Sequence, residues 1–291
     1  MGLDLYQSSS AAKQVFEEAD DILSFPLSRL CFEGPEEELR NTVNAQPAIF
    51  TTSIACMRAA AQMSPDLLRD APDFVAGHSL GEYTALVAAG AIDFADALRL
   101  VRRRGELMEM AGLHNPGSMA AVLGLDEAVV EEICNESGVQ IANINSPGQI
   151  AISGAVDSLA KAMEMATARG AARVIALNVS AAFHSRLMEP AREGMSQAIA
   201  SAAFRDAKMP VVANSTGVPI TKSEGIRVEL IDQLCSPVRW LRSVECMASA
   251  GVKTFIEIGP GQVLTGLIRR SVQDVTLVNL SNLESIRSNN G

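Results

Sequence analysis

The pentapeptide Gly77-His78-Ser79-Leu80-Gly81 restricts the fold more than any other stretch of this chain. It fits the pattern G-x-S-x-G, which sets a serine on a sharp turn between a strand and a helix. The flanks supply both elements. Residues 73–76 read as a short strand, and residues 80–89 as a helix. Backbones approach closely in such a turn, so both glycines are expected where a side chain would clash. The pattern calls for an α/β architecture built around a nucleophilic serine. The alternative is a packing turn capped by Ser79.

The 291 residues suffice for one large domain, or for a main domain with a smaller insert. Ser8, Ser9 and Ser10 can cap a helix through Val15, Phe16, Ala19 and Ile22. Gly34-Pro35, followed by Glu36, Glu37 and Glu38, reads as a second helix start. Pro47 reads as the start of a third helix, and Asp93 as the cap of a helix over 94–111.

Residues 117–178 alternate differently. Strands are expected at 119–123, 139–143, 150–153 and 173–177, with helices at 126–136 and 156–169. The order β-α-β-β-α-β is that of a ferredoxin-like unit. It reads as a small subdomain inserted into a large one made of 1–116 and 179–291. Beyond it, helices are expected near 187–202, 228–234 and 240–250, with strands at 211–213 and 254–258. Gly259-Pro260-Gly261 then leads into a final long helix, and the tail 285–291 reads as frayed.

A net charge of −10 argues against nucleic acid as a partner, because phosphate binding needs a basic surface. Cys31, Cys56, Cys134, Cys235 and Cys246 are odd in number and form no C-x-x-C. They read as free thiols in a reducing compartment. No apolar run is long enough to span a membrane, and Met1-Gly2-Leu3-Asp4 lacks the start of a signal peptide. A cytoplasmic protein with no membrane partner is expected.

A serine hydroxyl needs a base to take its proton. The chain has three histidines. His78 adjoins Ser79, and a neighbour in a tight turn points elsewhere. His114 falls in a polar linker. His184 follows the last strand of the insert, where the chain returns over the cleft, so elimination favours it. A histidine satisfied in a domain interface is the alternative. Arg104 carries a second signal. At about 100° per residue, Phe94, Ala97, Leu98, Leu100, Val101, Leu107, Met108 and Ala111 share one face, and Arg104 lies within it. A charge there needs a partner or a cleft. It is either half of a buried ion pair or a fork for a substrate carboxylate.

With these residues in view, a resemblance can be stated. GHSLGEYTALVAAGAIDFADALRLVRRRGELM, NINSPGQIAISG, AAFHSRLMEP and FIEIGPGQVLTGL resemble the malonyl-CoA:acyl carrier protein transacylase family, in that family's order. The resemblance implies an α/β-hydrolase-like large subdomain with an inserted ferredoxin-like small subdomain. It implies transfer of a malonyl group from malonyl-CoA to the thiol of acyl carrier protein through a malonyl-serine, without metal or cofactor. It assigns acylation to Ser79, the base to His184 and the malonyl carboxylate to Arg104. The Leu80 backbone N–H would face the oxyanion, the Gln233 carbonyl would orient His184, and Asn145 would line the site. Ala181-Ala182-Phe183, before His184, resembles malonyl-selective members.

The family also has an N-terminal apolar strand with a Gly-Gln-Gly loop that supplies an oxyanion donor. This chain is expected to lack both. Two other readings stay open. One is a serine hydrolase or thioesterase, although more than a hundred residues follow His184, unlike a late histidine in the order Ser, Asp, His. The other is a carrier-protein docking module using Arg173, Arg186, Arg192, Arg269 and Arg270.

Overall fold

The structure, a computed structural model, describes residues 1–289. Five helices come first: α1 (Leu3–Ser8), α2 (Ser10–Leu23), α3 (Leu27–Glu33), α4 (Glu36–Arg40) and α5 (Thr42–Met63). Ser9 caps α2 by accepting the Ala12 N–H at 3.1 Å. Pro47 does not start α5 as its sequence suggests. It lies inside the helix, which begins at Thr42. A proline has no N–H for the carbonyl four residues back. That carbonyl, Val43 O, instead accepts from Arg102 Nη1 at 3.1 Å. The neighbouring helix thus satisfies the group the proline abandons.

The nucleophile turn leads into α6 (Gly81–Ala88), followed by α7 (Phe94–His114). Asp93 precedes α7 without capping it by its side chain; its carboxylate pairs with Arg205 instead. The strand expected before the turn contracts to a single parallel bridge between Val75 and Val211. Helices α5 and α7 pack together, with Phe50 stacked on Phe94 at 5.6 Å between ring centroids. They share one apolar core with α2 and α6.

The small subdomain follows: β1 (Gly117–Leu123), α8 (Glu127–Ser137), β2 (Gln140–Ser146), β3 (Gln149–Ala155), α9 (Val156–Ala168) and β4 (Arg173–Ala176). Its antiparallel sheet has the order β2-β3-β1-β4, as a ferredoxin-like unit requires. Both helices cover one face of the sheet, where Val122, Val130, Ile133, Ile152, Leu159 and Ala162 form a separate core. Val238 of the large subdomain ties to β2. Its N–H donates to Ala142 O at 2.8 Å, and its carbonyl accepts the Ile144 N–H at 2.9 Å.

The chain then forms α10 (Glu189–Ser201), β5 (Val211–Val212), β6 (Pro219–Ile220), α11 (Ser223–Asp232), α12 (Trp240–Ser249), β7 (Thr254–Ile258), α13 (Val263–Ser271), β8 (Thr276–Leu280) and α14 (Leu283–Ser288). Helix α13 is neither long nor final. It is the crossover between β7 and its parallel partner β8. The tail expected to fray is helical as far as Ser288, under a capping box of Asn282 and Ser285. Residues 290 and 291 of that expectation lie outside the described residues.

The two glycines of the turn are not equivalent. A Cβ at Gly77 would lie 2.0 Å from the Gly81 carbonyl carbon and oxygen, both backbone atoms. A Cβ at Gly81 would meet nothing within 4 Å. The expectation that both exclude side chains is therefore corrected to Gly77 alone. Gly77→Ala should destabilise the fold by about 1–3 kcal/mol or more, the usual cost of overpacking. Gly81→Ala should leave the melting temperature unchanged or raised, since alanine is the better helix former. Thermal melts of the two variants check this, and equal losses would refute it.

Candidate active site

Ser79 adopts φ 51°, in the left-handed region, where a non-glycine residue is strained by about 1–3 kcal/mol. Asn214 holds it there. Its Oδ1 accepts the Ser79 N–H at 2.6 Å, and its Nδ2 donates to Gly77 O at 2.7 Å. The turn is thereby clamped on both sides of His78, and the Ser79 hydroxyl projects from its apex. Ser79 Oγ lies 2.8 Å from His184 Nε2 and accepts from Arg104 Nη2 at 3.0 Å.

His184 is also at positive φ, 56°, and is 4% exposed. Its Nδ1 lies 2.9 Å from Gln233 O. A carbonyl only accepts, so Nδ1 carries the proton and Nε2 is bare towards the serine. That is the tautomer a general base needs. Among the described residues no carboxylate orients the ring; a main-chain carbonyl does. Burial, and then the Arg104 charge, push the His184 pKa down to about 3.

Arg104 is 1% exposed. Nη1 donates to Gln46 Oε1 at 2.6 Å, and Nη2 donates to Gln233 Oε1 at 2.9 Å as well as to Ser79. These three acceptors are neutral, and Nε has no partner. Burial lowers the Arg104 pKa, while the Tyr83 and Glu82 side chains oppose it. An ion pair with a buried acid, one of the two readings of this residue, is not among the ion pairs of the described residues. A buried guanidinium with spare donors can receive an anion.

The Leu80 N–H, at the start of α6, has no hydrogen-bond partner among the described residues. It is free to meet an oxyanion, and the helix N-terminus adds a favourable field. Asn145, near the end of β2, reaches neither Ser79 nor His184. Its Oδ1 lies 2.8 Å from His78 Nε2. Burial lowers the pKa of His78, whose ring centroid lies 5.9 Å from that of Trp240. His114 is remote from the others, in the last turn of α7, with Nδ1 2.7 Å from Met110 O.

The structure thus brings Ser79, His184, Arg104, Gln233 and Leu80 together, and sets Asn145 one residue away behind His78. It adds Gln46, Glu82 and Asn214, which sequence reasoning missed. Gln46 immediately precedes Pro47 and was hidden by the expectation that the helix starts there. Glu82 reads as an acid in the first turn of α6. Burial, and then the Glu229 charge, hold its carboxyl well above the usual range, while Gln233, Asn214 and Arg104 pull it back. Asn214 carries no local signal.

The family described as acyl transferase domain matches residues 1–286. The malonyl CoA-acyl carrier protein transacylase of Bacillus subtilis (strain 168) is 45% identical over 291 aligned residues, 98% of this chain and 90% of that protein. An acyl-carrier-protein-S-malonyltransferase from Bartonella henselae superposes with a TM-score of 0.94 at 43% identity, covering 99% of this chain and 93% of that one. A malonyl-transacylase solved in complex with its type II polyketide synthase acyl-carrier protein gives 0.93 at 38%, covering 99% and 93%.

Neutral imidazole is the base form, and a pKa of about 3 keeps it neutral through the ordinary range. The acid limb of kcat/KM should therefore lie well below pH 6.5, the ordinary histidine value. The linkage has the same direction. An unfolded imidazole takes up a proton near 6.5, but the folded one resists until about 3. Stability from this group is complete above 6.5 and is lost as pH falls towards 3. His184→Ala should slow acylation by about 10²- to 10⁴-fold. Rate–pH profiles of acylation check this, and an acid limb centred near 6.5 would refute it.

Proposed function

The chain belongs to the acyl transferase domain family, and on that premise we propose how its site transfers a malonyl group. The protein is an acyl-carrier-protein S-malonyltransferase of fatty-acid or polyketide synthesis, moving malonyl from malonyl-CoA to acyl carrier protein. One observation carries the residue roles: Ser79 Oγ touches both a bare imidazole nitrogen and a buried guanidinium. Few reactions need a base and an anion receptor on one hydroxyl. Acyl transfer from a thioester with a carboxylate at its far end does.

Ser79 Oγ attacks the thioester carbonyl while its proton passes to His184 Nε2. The Leu80 N–H stabilises the oxyanion. The C–S bond breaks, CoA leaves with the proton held by His184, and a malonyl ester remains on Ser79. The phosphopantetheine thiol of the carrier then gives its proton to His184 and attacks the ester. The C–O bond breaks, and the proton returns to Ser79 Oγ. Throughout, Arg104 holds the malonyl carboxylate by two parallel hydrogen bonds, and the Gln233 carbonyl keeps His184 in its tautomer.

We assign 117–178 to the small subdomain and 1–116 with 179–291 to the large one. The five thiols, free in the structure, support a cytoplasmic location.

Intact-mass measurement after mixing with malonyl-CoA should show one malonyl group on the wild type and none on Ser79→Ala. Arg104→Ala should lose malonyl transfer by about a hundredfold relative to acetyl, because acetyl has no carboxylate to lose a charge-assisted contact. An adduct on Ser79→Ala, or equal losses for both acyl groups, would overturn the assignments.

We propose further that the large subdomain accepts one more apolar strand. Among the described residues, strand β7 pairs only with β8 and Val75 only with Val211, yet Phe74, Ala76 and Phe255 share one apolar cluster. Unpaired strand edges beside a core are receptive to a partner. A Gly-Gln-Gly-type loop on that strand would add a second oxyanion donor to Leu80. A form of the chain extended by such a strand should melt higher and transfer malonyl about 10²- to 10³-fold faster, the usual effect of one oxyanion donor. Equal melting and equal rates in the two forms would refute it.

A further inference from the structure

Glu82 takes no part in the steps above, yet it is 1% exposed and lies three residues after the nucleophile. Among the described residues its carboxylate touches no cation. Oε2 accepts from Gln233 Nε2 at 2.5 Å, and Oε1 accepts the Asn214 N–H at 3.1 Å. Both neighbours are donors, so both oxygens act as acceptors.

Gln233 is the centre of the site. Its Nε2 donates to Ser79 O at 2.9 Å as well as to Glu82. Its Oε1 faces Arg104, and its main-chain oxygen faces His184. An amide has two ends of similar size, so packing alone does not decide which way it points. Here the direction matters. Turned around, Gln233 would aim its NH₂ at the N–H groups of Arg104. Glu82 Oε2 and Ser79 O both accept from Nε2, and together they fix the choice.

We propose that Glu82 is a positioning residue that sets malonyl selectivity. With Ser79 O, it fixes the Gln233 amide with its oxygen towards Arg104. The guanidinium is then held by neutral oxygens and stays open to the substrate carboxylate, where a protein carboxylate in contact would occupy it. Asn214, whose backbone the same carboxylate holds, clamps the nucleophile turn, so one buried acid sets both halves of the site. This rests on Arg104 being the malonyl anchor.

Glu82→Gln keeps the size and removes the all-acceptor character. In either orientation its new NH₂ faces a donor, Gln233 Nε2 or the Asn214 N–H. Transfer from malonyl-CoA and from acetyl-CoA to acyl carrier protein should be measured on the full chain. The malonyl KM should rise about tenfold, with the acetyl KM unchanged, so that the malonyl-to-acetyl ratio of kcat/KM falls about tenfold. Gln233→Met keeps the main-chain carbonyl that holds His184 and removes the amide. It should lower the ratio similarly, and adding Glu82→Gln to it should lower the ratio no further.

If Glu82→Gln does not fold, Gln233→Met alone decides, and an unchanged ratio in it overturns the proposal. Equal losses for both substrates, or a lower melting temperature with the ratio intact, also overturn it. A wild type without malonyl preference would overturn the anchor role of Arg104 and this proposal together. A wild-type preference that neither variant moves would overturn this proposal alone.

Discussion

Arg104 sets a guanidinium in the protein interior with no carboxylate in contact, and much of the architecture answers that charge. A buried ion without hydrogen bonds costs several kcal/mol. Two amide oxygens offset the cost, from Gln46 on α5 and from Gln233 just after α11. They lie 58 and 129 residues from Arg104 along the chain. Packing of α5 against α7 delivers the first, and the return of the chain beyond the small subdomain delivers the second. A carboxylate in either place would stabilise the arginine better and close it to an anion from outside. Neutral oxygens leave the charge available, as the malonyl-anchoring role proposed for Arg104 requires.

Strain is stored at the two residues beside that charge. Ser79 and His184 are both left-handed, at about 1–3 kcal/mol each. Such conformations persist only where neighbours hold them from several sides. Asn214 grips the turn at Gly77 and Ser79, and Gln233 grips Ser79 O and His184 Nδ1. The hydroxyl and the ring meet at 2.8 Å.

A carbonyl in place of an acid behind His184 suits this chemistry. An aspartate would raise the basicity of the ring; burial and Arg104 lower it. The thiol leaving group, with a pKa of about 8.5, departs with little protonation. Holding the ring neutral also avoids a second cation beside Arg104.

The small subdomain was legible in the sequence because its signals are local. Four short apolar runs, two helical stretches and the turn read at Asn145-Ser146-Pro147-Gly148 define β-α-β-β-α-β without reference to the rest of the chain. The elbow was legible for the same reason, and Arg104 because helical periodicity exposes a charge on an apolar face. Errors arose where a distant group overrode a local rule. Pro47 sits inside α5 because Arg102 satisfies the freed carbonyl. Gly81 resembles Gly77 in sequence, but only Gly77 has backbone pressed against it. The sequence by itself determined the residue types, the order of elements in the small subdomain and a short set of candidates, since three histidines leave little to choose from. Only the tertiary structure decided that Gln46, Glu82 and Asn214 join Gln233 around Ser79, and which end of each amide faces which partner. Those contacts join residues up to 154 positions apart, and a hydrogen bond at that separation leaves no periodic trace in the chain.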